Sequence, residues 1–512
     1  MSLHVSLPTA TPSSLADEPL GLDPPRHVYI ETMGCQMNVY DSERMAEVLA
    51  SRGYRPTDEV ERADLVLINT CSIRDRVEHK VVSMLGTLRK LKAHNPDLVL
   101  GVTGCVAQQE GQKLLAKVPY LDLVLGPDQI PQLADLVDGV RERQQRVAAV
   151  EFVKAKAYTF PPAQPPEDGR VTSFVTIMKG CNKVCSFCIV PFTRGREVSK
   201  PSAEVLAEIR MLVATGVREV TLLGQNVNSY GKDRVDREGR AGELEFPELL
   251  AAVDAIPGLQ RIRFTTSHPM DCTDALIQAF AELPKLAPLF HLPIQSGSEA
   301  VLQRMRRAHG VADYLQKIDK LRALRPDVAL STDIIVGFPG ETDADFARTL
   351  DLLATVRYAS IFSFMYSPRP GTRAAEWPDD VPLAVKKQRL AQVQALQDAV
   401  TREWLAAFAD REVAVLFEGP SRLAQVGTHA LLAERAFGPP QVMGRTPENV
   451  KVNVAVGDPR AVSEWTGRVG VVRISRVGAH SLEGTLVGWA GDGGMSPLRR
   501  QPLSAAGPAA AP

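Results

Sequence analysis

Short apolar runs alternate with stretches of helical periodicity along the first 150 residues of the chain. Such an alternation of β and α elements predicts a parallel sheet with helices on its faces. The predicted strands are His27–Thr32, Leu65–Asn69, Leu98–Thr103 and Leu121–Leu125. The predicted helices are Ser42–Ser51, Val77–Lys92 and Gln108–Lys117. We therefore expect an α/β domain over residues 27–150, built on an N-terminal open parallel sheet with helices.

The same alternation continues through the middle of the chain with longer helical stretches, for example Ala203–Ala214 and Asp343–Thr355. The apolar runs predicted as strands are Thr172–Met178, Glu219–Leu223, Arg261–Thr266, Phe290–Ile294, Leu330–Val336 and Ser360–Met365. Six βα units in about 200 residues predict a central partial (β/α)6 barrel. This predicted domain covers residues 171–380.

A long amphipathic helix is predicted next, roughly from Pro382 to Asp410. It forms a connecting segment, residues 381–410, that leads to a β-rich segment. The β-rich runs are Glu412–Phe417, Gln441–Arg445, Val450–Val454, Arg468–Ser475 and Ser481–Val487. These strands predict a small OB-like β-barrel over residues 411–489, an architecture that commonly binds oligonucleotides. Candidate phosphate contacts, each of which could equally be a solvated surface side chain, are Arg445, Lys451, Arg473 and Arg476.

Proline and glycine mark the boundaries between these segments. Tyr158–Gly169 contains four prolines and predicts a linker, taken here as residues 151–170. A second proline- and glycine-bearing break is Tyr366–Asp380. The composition of residues 1–26 and of residues 490–512 predicts disordered tails.

Composition narrows the class of protein. The chain has 512 residues and a formal net charge of -1, which neither requires nor excludes a nucleic-acid partner. No apolar run reaches the ~18 residues of a membrane helix, and the start of the chain lacks a secretory signal. We expect a cytoplasmic protein without a membrane partner. Its seven cysteines then indicate metal binding or catalysis rather than disulfides.

Three cysteines, Cys181, Cys185 and Cys188, follow the first predicted strand of the barrel. Loops at that end of a barrel form active sites. Three thiolates in so short a loop can bind three irons of a [4Fe–4S] cluster and leave the fourth iron open. A zinc site and an electron-transfer cluster are the alternatives, although each calls for a fourth ligand that is not placed nearby. The isolated Cys272 is predicted to pack at a helix start.

The remaining cysteines, Cys35, Cys71 and Cys105, each follow the C-terminal end of a predicted strand. Parallel strands end at one edge of a sheet and lie ~4.8 Å apart, so three thiols there can converge on one cluster. Gly34 and Gly104 would let the backbone approach that cluster closely. The alternative is three separately buried cysteines, which is common for this residue type.

The pattern Cys-x3-Cys-x-Phe-Cys after the first barrel strand resembles the radical S-adenosylmethionine (SAM) superfamily. Two three-cysteine sets in this order resemble the methylthiotransferases within it, from about His27 to the end of the β-rich segment. The stretches that carry this likeness are Gly34–Asn38, Asn69–Arg74, Gly104–Gln108, Cys188–Glu197, Leu223–Tyr230, His291–Ser298, Asp333–Thr342 and Tyr366–Thr372. The C-terminal segment resembles the RNA-binding TRAM domain at Gly444–Thr446 and Ser481–Gly484.

The resemblance implies two [4Fe–4S] clusters and two uses of SAM, as methyl donor and as radical source. The N-terminal cluster would hold the sulfur, and the barrel cluster would generate the radical that removes hydrogen from C2 of an adenine. The implied substrate is N6-isopentenyladenosine at position 37 of tRNA. The alternatives within the family are threonylcarbamoyladenosine of tRNA and a ribosomal-protein aspartate. An RNA-binding protein whose clusters sense redox state is the alternative from another class.

The resemblance also implies roles for residues and partners. All six clustered cysteines would be catalytic ligands, Phe187 would lie near the adenine of SAM, and Gln225 would hold its methionine amino group. Weaker candidates for binding the cofactor are Gln295, Arg307 and Asp333. Any of these could instead be a structural cap or a strand-end hydrogen bond. The implied partners are tRNA and a low-potential electron donor, and we expect a monomer.

Two further features qualify this interpretation. His268 could serve as a general base, but a His–Pro turn is the simpler interpretation of its position before Pro269. The stretch Arg306–Gly310 stands where the methylthiotransferases often read Arg-x-Tyr-Thr. That departure bears on the role of Arg307 and leaves the cysteine motifs unaffected.

Overall fold

The structure is a computed structural model of the whole chain. It describes residues 25–72, 76–143, 145–154, 157–166, 168–233, 243–421 and 440–491. The predicted disordered tails, 1–26 and 490–512, lie outside the described residues except at their inner ends. Ile73 and Arg74 of the second motif also lie outside them. None of the helices in the described ranges combines the length and the hydropathy that a membrane span requires.

The N-terminal domain is built on a six-stranded sheet in which every neighbouring pair of strands is parallel. The strands are β1 (Arg26–Thr32), β2 (Tyr54–Pro56), β3 (Leu65–Thr70), β4 (Val99–Gly104), β5 (Leu123–Leu125) and β6 (Val147–Ala149). Their order across the sheet is β2-β1-β3-β4-β5-β6. The predicted open parallel sheet is therefore confirmed. The edge strands β2 and β6, each of three residues, were not predicted.

Helices cover both faces of this sheet. They are α1 (Gln36–Ala50), α2 (Arg76–His94), α3 (Cys105–Glu110), α4 (Gln112–Lys117) and α5 (Leu133–Arg143). Leu65 and Leu67 of β3 join the core that contains residues of α1 and α5, whereas Val66 and Ile68 join the core with α2. Burial of this central strand on both faces explains why Leu65–Ile68 form a continuous apolar run.

Two of the predicted helices differ from those observed. The helix predicted over Gln108–Lys117 is divided into α3 and α4 at Gly111, whose φ of 50° leaves the helical region. The helix predicted to begin at Ser42 begins at Gln36 instead, directly after Cys35. The polar residues of its first turns concealed this start, because they are buried against the neighbouring strands rather than exposed.

The central domain is a partial barrel made of six parallel strands, as predicted. Its strands are β7 (Thr172–Thr176), β10 (Glu219–Leu223), β11 (Arg261–Phe264), β12 (Leu289–His291), β13 (Ala329–Val336) and β14 (Ser360–Met365). They form two three-stranded sheets, β7-β10-β11 and β12-β13-β14. Residues 285–287 hydrogen-bond to Ile262 of β11 and so join the two sheets. A short antiparallel pair, β8 (Met178–Lys179) and β9 (Val198–Ser199), flanks the first cysteine loop of the barrel.

Helices surround the barrel and lead into the last domain. They are α6 (Val190–Thr193), α7 (Ser202–Ala214), α8 (Phe246–Asp254), α9 (Asp274–Glu282), α10 (Glu299–Arg304), α11 (Val311–Leu324), α12 (Asp343–Val356) and α13 (Leu383–Ala406). The long helix predicted over Pro382–Asp410 is α13. It lies against β14 and α12, so it packs on the barrel that it leaves.

The C-terminal domain is a closed five-stranded barrel, as the β-rich runs predicted. Its elements are β15 (Glu412–Pro420), β16 (Gln441–Arg445), β17 (Lys451–Ala455), α14 (Ala461–Trp465), β18 (Val469–Val477) and β19 (Leu482–Trp489). The order around the barrel is β15-β16-β17-β19-β18, and only β17 and β19 pair in parallel among the described strands of this barrel. Closure leaves no unpaired edge of the sheet.

Two buried arginines join the C-terminal barrel to the central one. Arg263 donates to the carbonyl oxygens of Pro447 (2.7 Å) and Thr446 (2.9 Å), in the turn between β16 and β17. Both Arg263 and Arg261 are also ion-paired with Glu219, at 2.9 and 3.0 Å. Glu219 lies on β10 and the two arginines lie on β11 of the central barrel, so this group of charged side chains holds the two barrels against each other.

Arg263→Met is expected to destabilise the protein by about 3 kcal/mol, because it leaves the Glu219 carboxylate buried with one fewer charged partner. The thermal unfolding midpoint, followed by circular dichroism, measures this effect. Arg473→Met is the matched control. It removes an exposed ion pair with Glu412 and is expected to cost under about 1 kcal/mol. Equal midpoints for the two variants would contradict a stabilising role for the buried cluster.

Candidate functional site

The three cysteines of the N-terminal domain leave the same edge of its sheet. The C-terminal ends of β1, β3 and β4 are level with one another in the register of the sheet. Cys35 precedes α1, Cys71 directly follows β3, and Cys105 is the first residue of α3. The thiols of Cys35 and Cys71 interact through a hydrogen bond. The tertiary structure thus brings together three cysteines that are more than thirty residues apart in sequence.

Two glycines leave the room that this close approach requires. A Cβ atom on Gly34, whose φ is 134°, would lie 2.3 Å from the Cβ atom of Cys71. A Cβ atom on Gly104, whose φ is 87°, would lie 2.4 Å from the carbonyl oxygen of Thr70. Both positions therefore exclude any other residue. The close approach to a cluster that the sequence suggests for the two glycines stays a prediction.

A buried network of polar side chains holds the strand ends in place. The Asn38 amide nitrogen donates to Asn69 Oδ1 (3.0 Å) and to the carbonyl oxygen of Thr70 (2.9 Å). Asn69 donates in turn to the carbonyl oxygen of Asn38 (2.8 Å) and to Ser42 Oγ (2.9 Å). Asn38 Oδ1 accepts from the Cys35 thiol at 3.2 Å. One asparagine therefore links the position of Cys35 to the backbone that leads into Cys71.

Asn38→Ala is expected to weaken this arrangement by about 1–3 kcal/mol, because it leaves buried acceptors on β3 without a donor. We expect less iron per chain after anaerobic reconstitution, with the loss confined to the N-terminal cysteines. Iron analysis of the variant and the parent measures this. Asn95→Ala changes an exposed asparagine of the same domain and should retain the parental iron content. A parental iron content in Asn38→Ala would refute the proposed role of the network.

A buried arginine from the barrel completes the surroundings of these thiols. Arg194 Nε donates to Cys105 Sγ at 3.3 Å, and its Nη2 is 2.6 Å from Asp41 Oδ2. The hydrogen bond with Cys71 lowers the pKa of Cys35 to about 6, helped by the charge of Arg194 and opposed by burial. A thiol with so low a pKa is readily deprotonated, which is the form that binds metal. Arg194 lies in a motif that carries the family resemblance, but sequence reasoning assigned it no role.

The second set of cysteines forms a loop between β8 and α6 at the mouth of the barrel. Gly180 precedes it with a φ of 73°, and a Cβ atom there would lie 2.0 Å from the carbonyl oxygen of Arg196. Burial raises the pKa of Cys181 to about 12 and, with the nearby Cys185, raises that of Cys188 to about 12. A metal that binds these two thiols must therefore displace their protons.

The middle of this loop is attached to two other parts of the barrel. Ser186 donates through its backbone N–H to the carbonyl oxygen of Met305 (3.0 Å) and accepts from the N–H of Ala374 (2.8 Å). Phe187 packs edge-on against Phe338, with ring centroids 6.3 Å apart. Phe187 is thus an anchor of the loop, in addition to the contact with SAM predicted for it.

Two of the predicted cofactor contacts lie directly beside the loop. Gln225 Oε1 accepts a hydrogen bond from the N–H of Gly180, whereas its Nε2 is buried and has no partner among the residues that the structure describes. The remaining donor suits a carboxylate better than the amino group predicted from the sequence. Arg307 donates to Cys185 Sγ (3.5 Å) and to the carbonyl oxygen of Pro293 (2.6 Å). Arg307 is therefore placed against the thiol of Cys185.

The other two predicted contacts lie on the second half of the barrel. Gln295 has a φ of 79°, unusual for a residue with a side chain, and its N–H donates to the carbonyl oxygen of Asp333 at 2.9 Å. The Asp333 carboxylate is 3.5 Å from His291 Nε2. Asp333 lies on β13, whereas Gln295 follows the end of β12. In the described residues the structure shows no contact between either residue and the cysteine loop.

His268 and Cys272 have the structural positions that the sequence favoured. His268 caps the turn Pro269–Asp271, and its Nδ1 accepts from the N–H of Met270 at 3.2 Å. Burial, together with the charge of Arg307, lowers the pKa of His268 to about 2, so the imidazole is neutral. Cys272 lies just before α9 and is 4% exposed in the core of the barrel.

Both sets of residues fit a [4Fe–4S] cluster with an open iron. Each offers three thiols, a glycine that leaves the backbone close to them, and an arginine that donates to one sulfur. In the ranges that the structure describes, no three His, Cys, Asp or Glu side chains are placed to hold a single metal ion. A cubane cluster makes a different demand, because each thiolate binds a different iron.

Three of the four predicted phosphate contacts on the C-terminal barrel, all arginines, are engaged with acidic side chains. Arg445 is 3.3 Å from Glu418, and Arg473 is 2.6 Å from Glu412. Arg476 is ion-paired with Glu483. Exposed ion pairs of this kind are weak, so Arg473 and Arg476 can exchange a carboxylate for a phosphate at small cost. Arg445 is more enclosed and lies next to the turn that binds Arg263.

The fold and the three-cysteine loop at the barrel mouth define a radical SAM protein. Residues 175–353 match the Radical SAM superfamily, and residues 27–126 match the family described as Uncharacterized protein family UPF0004. Membership of that superfamily implies SAM and a [4Fe–4S] cluster as cofactors. Among solved structures, a radical SAM methyltransferase, TsrM from Kitasatospora setae, has a TM-score of 0.49 at 13% identity and covers 68% of this chain and 75% of its own.

Curated relatives narrow the class further. A tRNA-2-methylthio-N(6)-dimethylallyladenosine synthase of Anaeromyxobacter sp. (strain K) is 48% identical over 93% of this chain and 97% of its own length. Enzymes of the same name from Myxococcus xanthus and Geobacter metallireducens are 48% and 49% identical, each over 90% of this chain and over 94% and 98% of their own lengths. The chain belongs to the family of tRNA-2-methylthio-N(6)-dimethylallyladenosine synthases.

Proposed function

We propose that this protein adds a methylthio group to C2 of N6-isopentenyladenosine at position 37 of tRNA, using SAM and two [4Fe–4S] clusters. One observation carries the two-cluster part of the proposal. Arg194, six residues after the last cysteine of the barrel loop, donates a hydrogen bond to Cys105 of the other set. Both sets therefore belong to one region of the molecule. The family supports isopentenyladenosine rather than threonylcarbamoyladenosine or a protein aspartate as substrate.

In this proposal the N-terminal cysteines hold the cluster that carries the sulfur to be transferred. Cys35, Cys71 and Cys105 occupy three irons, which leaves one coordination position for a sulfur species. Asn38 and the two tight glycines keep the thiols at the sheet edge. The methyl group comes from a first molecule of SAM.

The barrel cysteines hold the second cluster in this proposal. A cluster of this kind supplies one-electron reductive cleavage of a second SAM molecule when it is bound. Arg307 keeps the Cys185 thiol in place by its hydrogen bond. Gln225 holds the loop through Gly180, and its free N–H would be available to the methionine carboxylate of bound SAM. Phe187 fixes the loop against Phe338 on the side where the adenine of SAM would lie.

The C-terminal barrel would hold the tRNA while its adenosine enters the central barrel. Arg473 and Arg476 present exposed guanidinium groups on β18 that can contact phosphates. The buried contacts of Arg261 and Arg263 fix the orientation of this surface relative to the cysteine loops. A fixed orientation would let binding of the tRNA body determine where its adenosine lies.

The experiment that tests the proposal is mass spectrometry of nucleosides from tRNA treated with the reconstituted protein. The reaction contains SAM, a low-potential reductant and tRNA that carries isopentenyladenosine. We expect the isopentenyladenosine peak to be replaced by its methylthio derivative. Matched tRNA with unmodified adenosine or with threonylcarbamoyladenosine should remain unchanged. Methylthiolation of threonylcarbamoyladenosine alone, or SAM cleavage without any modified nucleoside, would refute the proposed substrate.

A further inference from the structure

Arg194 is a buried cation that crosses from the barrel to the N-terminal cysteines. It follows α6, and its side chain is only 7% exposed. Its Nε donates to Cys105 Sγ at 3.3 Å, and its charge also acts on Cys35. The Arg194 guanidinium therefore lies against the thiols of the N-terminal set although it belongs to the other domain.

A single carboxylate balances this buried charge. Asp41 lies on α1, less than two turns after Cys35, and its side chain is 9% exposed. Asp41 Oδ2 is 2.6 Å from Arg194 Nη2, which makes the two side chains an ion pair. A buried cation with one carboxylate and thiol neighbours is costly to desolvate, and such a cost is offset where the neighbours become negatively charged. Three thiolates that bind a cluster would provide that negative charge.

Docking of the two domains does not depend on Arg194 alone. Lys179 of β8 is ion-paired with Asp128 at 2.5 Å, and Arg170 is ion-paired with Glu43 of α1 at 2.5 Å. Met37 of α1 also packs against Leu223 of β10. Among these interdomain contacts, only that of Arg194 reaches a cysteine sulfur in the described residues. A role limited to docking would not explain this placement.

We propose that Arg194 is a positioning residue whose fixed positive charge raises the reduction potential of the N-terminal [4Fe–4S] cluster. The proposal rests on the two-cluster function proposed above. Hydrogen bonds to the sulfurs and the local charge set the potential of such a cluster. Reduction adds one electron to the cluster, and a neighbouring cation stabilises the more negative state. Asp41 acts in the opposite direction, because its carboxylate partly cancels the charge of Arg194.

The experiment uses the full chain with Cys181, Cys185 and Cys188 changed to Ala, so that the N-terminal site alone holds a cluster. Its midpoint potential is measured by electron paramagnetic resonance during titration with dithionite, which supplies the electron. We expect Arg194→Gln to move the midpoint to a more negative potential, because the cation is lost. We expect Asp41→Asn to move it to a more positive potential, because the cation is no longer balanced.

Two further variants separate charge from docking. Arg194→Lys keeps the charge but loses the fixed Nε–H donor to Cys105, so its midpoint should lie between those of the parent and Arg194→Gln. Arg170→Gln removes an interdomain ion pair that does not touch a cysteine, and it should leave the midpoint unchanged. If Arg194→Gln fails to fold, the Asp41→Asn and Arg194→Lys variants still decide the sign of the effect.

The possible outcomes distinguish this proposal from the proposed function. If the parent of the series binds no iron on reconstitution and shows no iron–sulfur signal, the two-cluster function fails, and the role of Arg194 fails with it. If the signal is present but the midpoint is the same in the Arg194 and Asp41 variants as in the parent, only the role of Arg194 is overturned. An equal shift in Arg170→Gln would assign the effect to docking and would also overturn it.

Discussion

Cys185→Ala is expected to abolish the formation of 5′-deoxyadenosine from SAM. The change removes one of three thiols and the sulfur to which Arg307 donates at 3.5 Å. Two thiolates do not hold the cluster, so iron should fall from about eight to about four per chain, because each [4Fe–4S] cluster contains four irons. Chromatography of the anaerobic reaction with SAM and dithionite measures 5′-deoxyadenosine directly.

Cys272→Ala is the matched control for this prediction. Cys272 is buried in the hydrophobic core of the barrel, apart from both cysteine sets. Its loss should cost stability of about 1 kcal/mol and leave the iron content and SAM cleavage at parental levels. Substantial 5′-deoxyadenosine from Cys185→Ala would show that the barrel cluster does not depend on this loop.

Cys71→Ala is expected to retain SAM cleavage while losing methylthiolation of tRNA. Alanine keeps the Cβ atom that packs against Gly34, so the sheet edge should keep its backbone. The N-terminal cluster loses one of its three thiolates, and with it the site proposed to carry the sulfur. Iron should again fall to about four per chain. One reaction mixture gives both readings, 5′-deoxyadenosine by chromatography and the methylthio nucleoside by mass spectrometry.

The two cysteine variants should therefore hold the same amount of iron and yet differ in SAM cleavage. Cys185→Ala loses both activities, because thiolation follows cleavage, whereas Cys71→Ala loses only the second. Cys105→Ala should behave as Cys71→Ala does. Methylthio nucleoside at the parental level in Cys71→Ala would refute the division of roles between the two clusters, even if the family assignment stands.

The strands and the cysteines at their ends were predictable because the apolar pattern that marks a strand lies in neighbouring residues of the sequence. Burial on both faces makes the first four residues of β3 and most of β4 apolar, and the strand direction is the chain direction. The edge reached by Cys35, Cys71 and Cys105 therefore follows from sequence once the sheet is parallel. The start of α1 was less visible, because its first turns bury Asn38, Asp41 and Ser42 in polar contacts.

Contacts between domains were not predictable, since they join residues that no local pattern relates. Arg194 and Cys105 are 89 residues apart, and Arg263 and Thr446 are 183 apart. Contacts between distant segments of one domain were equally hidden, because the oxygen of Gln225 is taken by the N–H of Gly180 across a loop and leaves its nitrogen free. The packing of strands and loops in the folded protein decides which atom of the Gln225 amide remains free to bind a ligand.

Sequence alone therefore determined the three-part architecture, the two cysteine sets and the family that they resemble. Hydrophobic periodicity and the spacing of thiols are properties of neighbouring residues, and they persist in any arrangement of the domains. The tertiary structure decided that Arg194 lies beside Cys105, that Arg307 lies beside Cys185 and that two arginines bind the C-terminal barrel. The contacts of Arg194 and of the two arginines at the C-terminal barrel depend on how whole domains dock, and that of Arg307 depends on how distant segments of the central barrel pack. Both kinds of packing are the sum of many weak interactions spread over the chain.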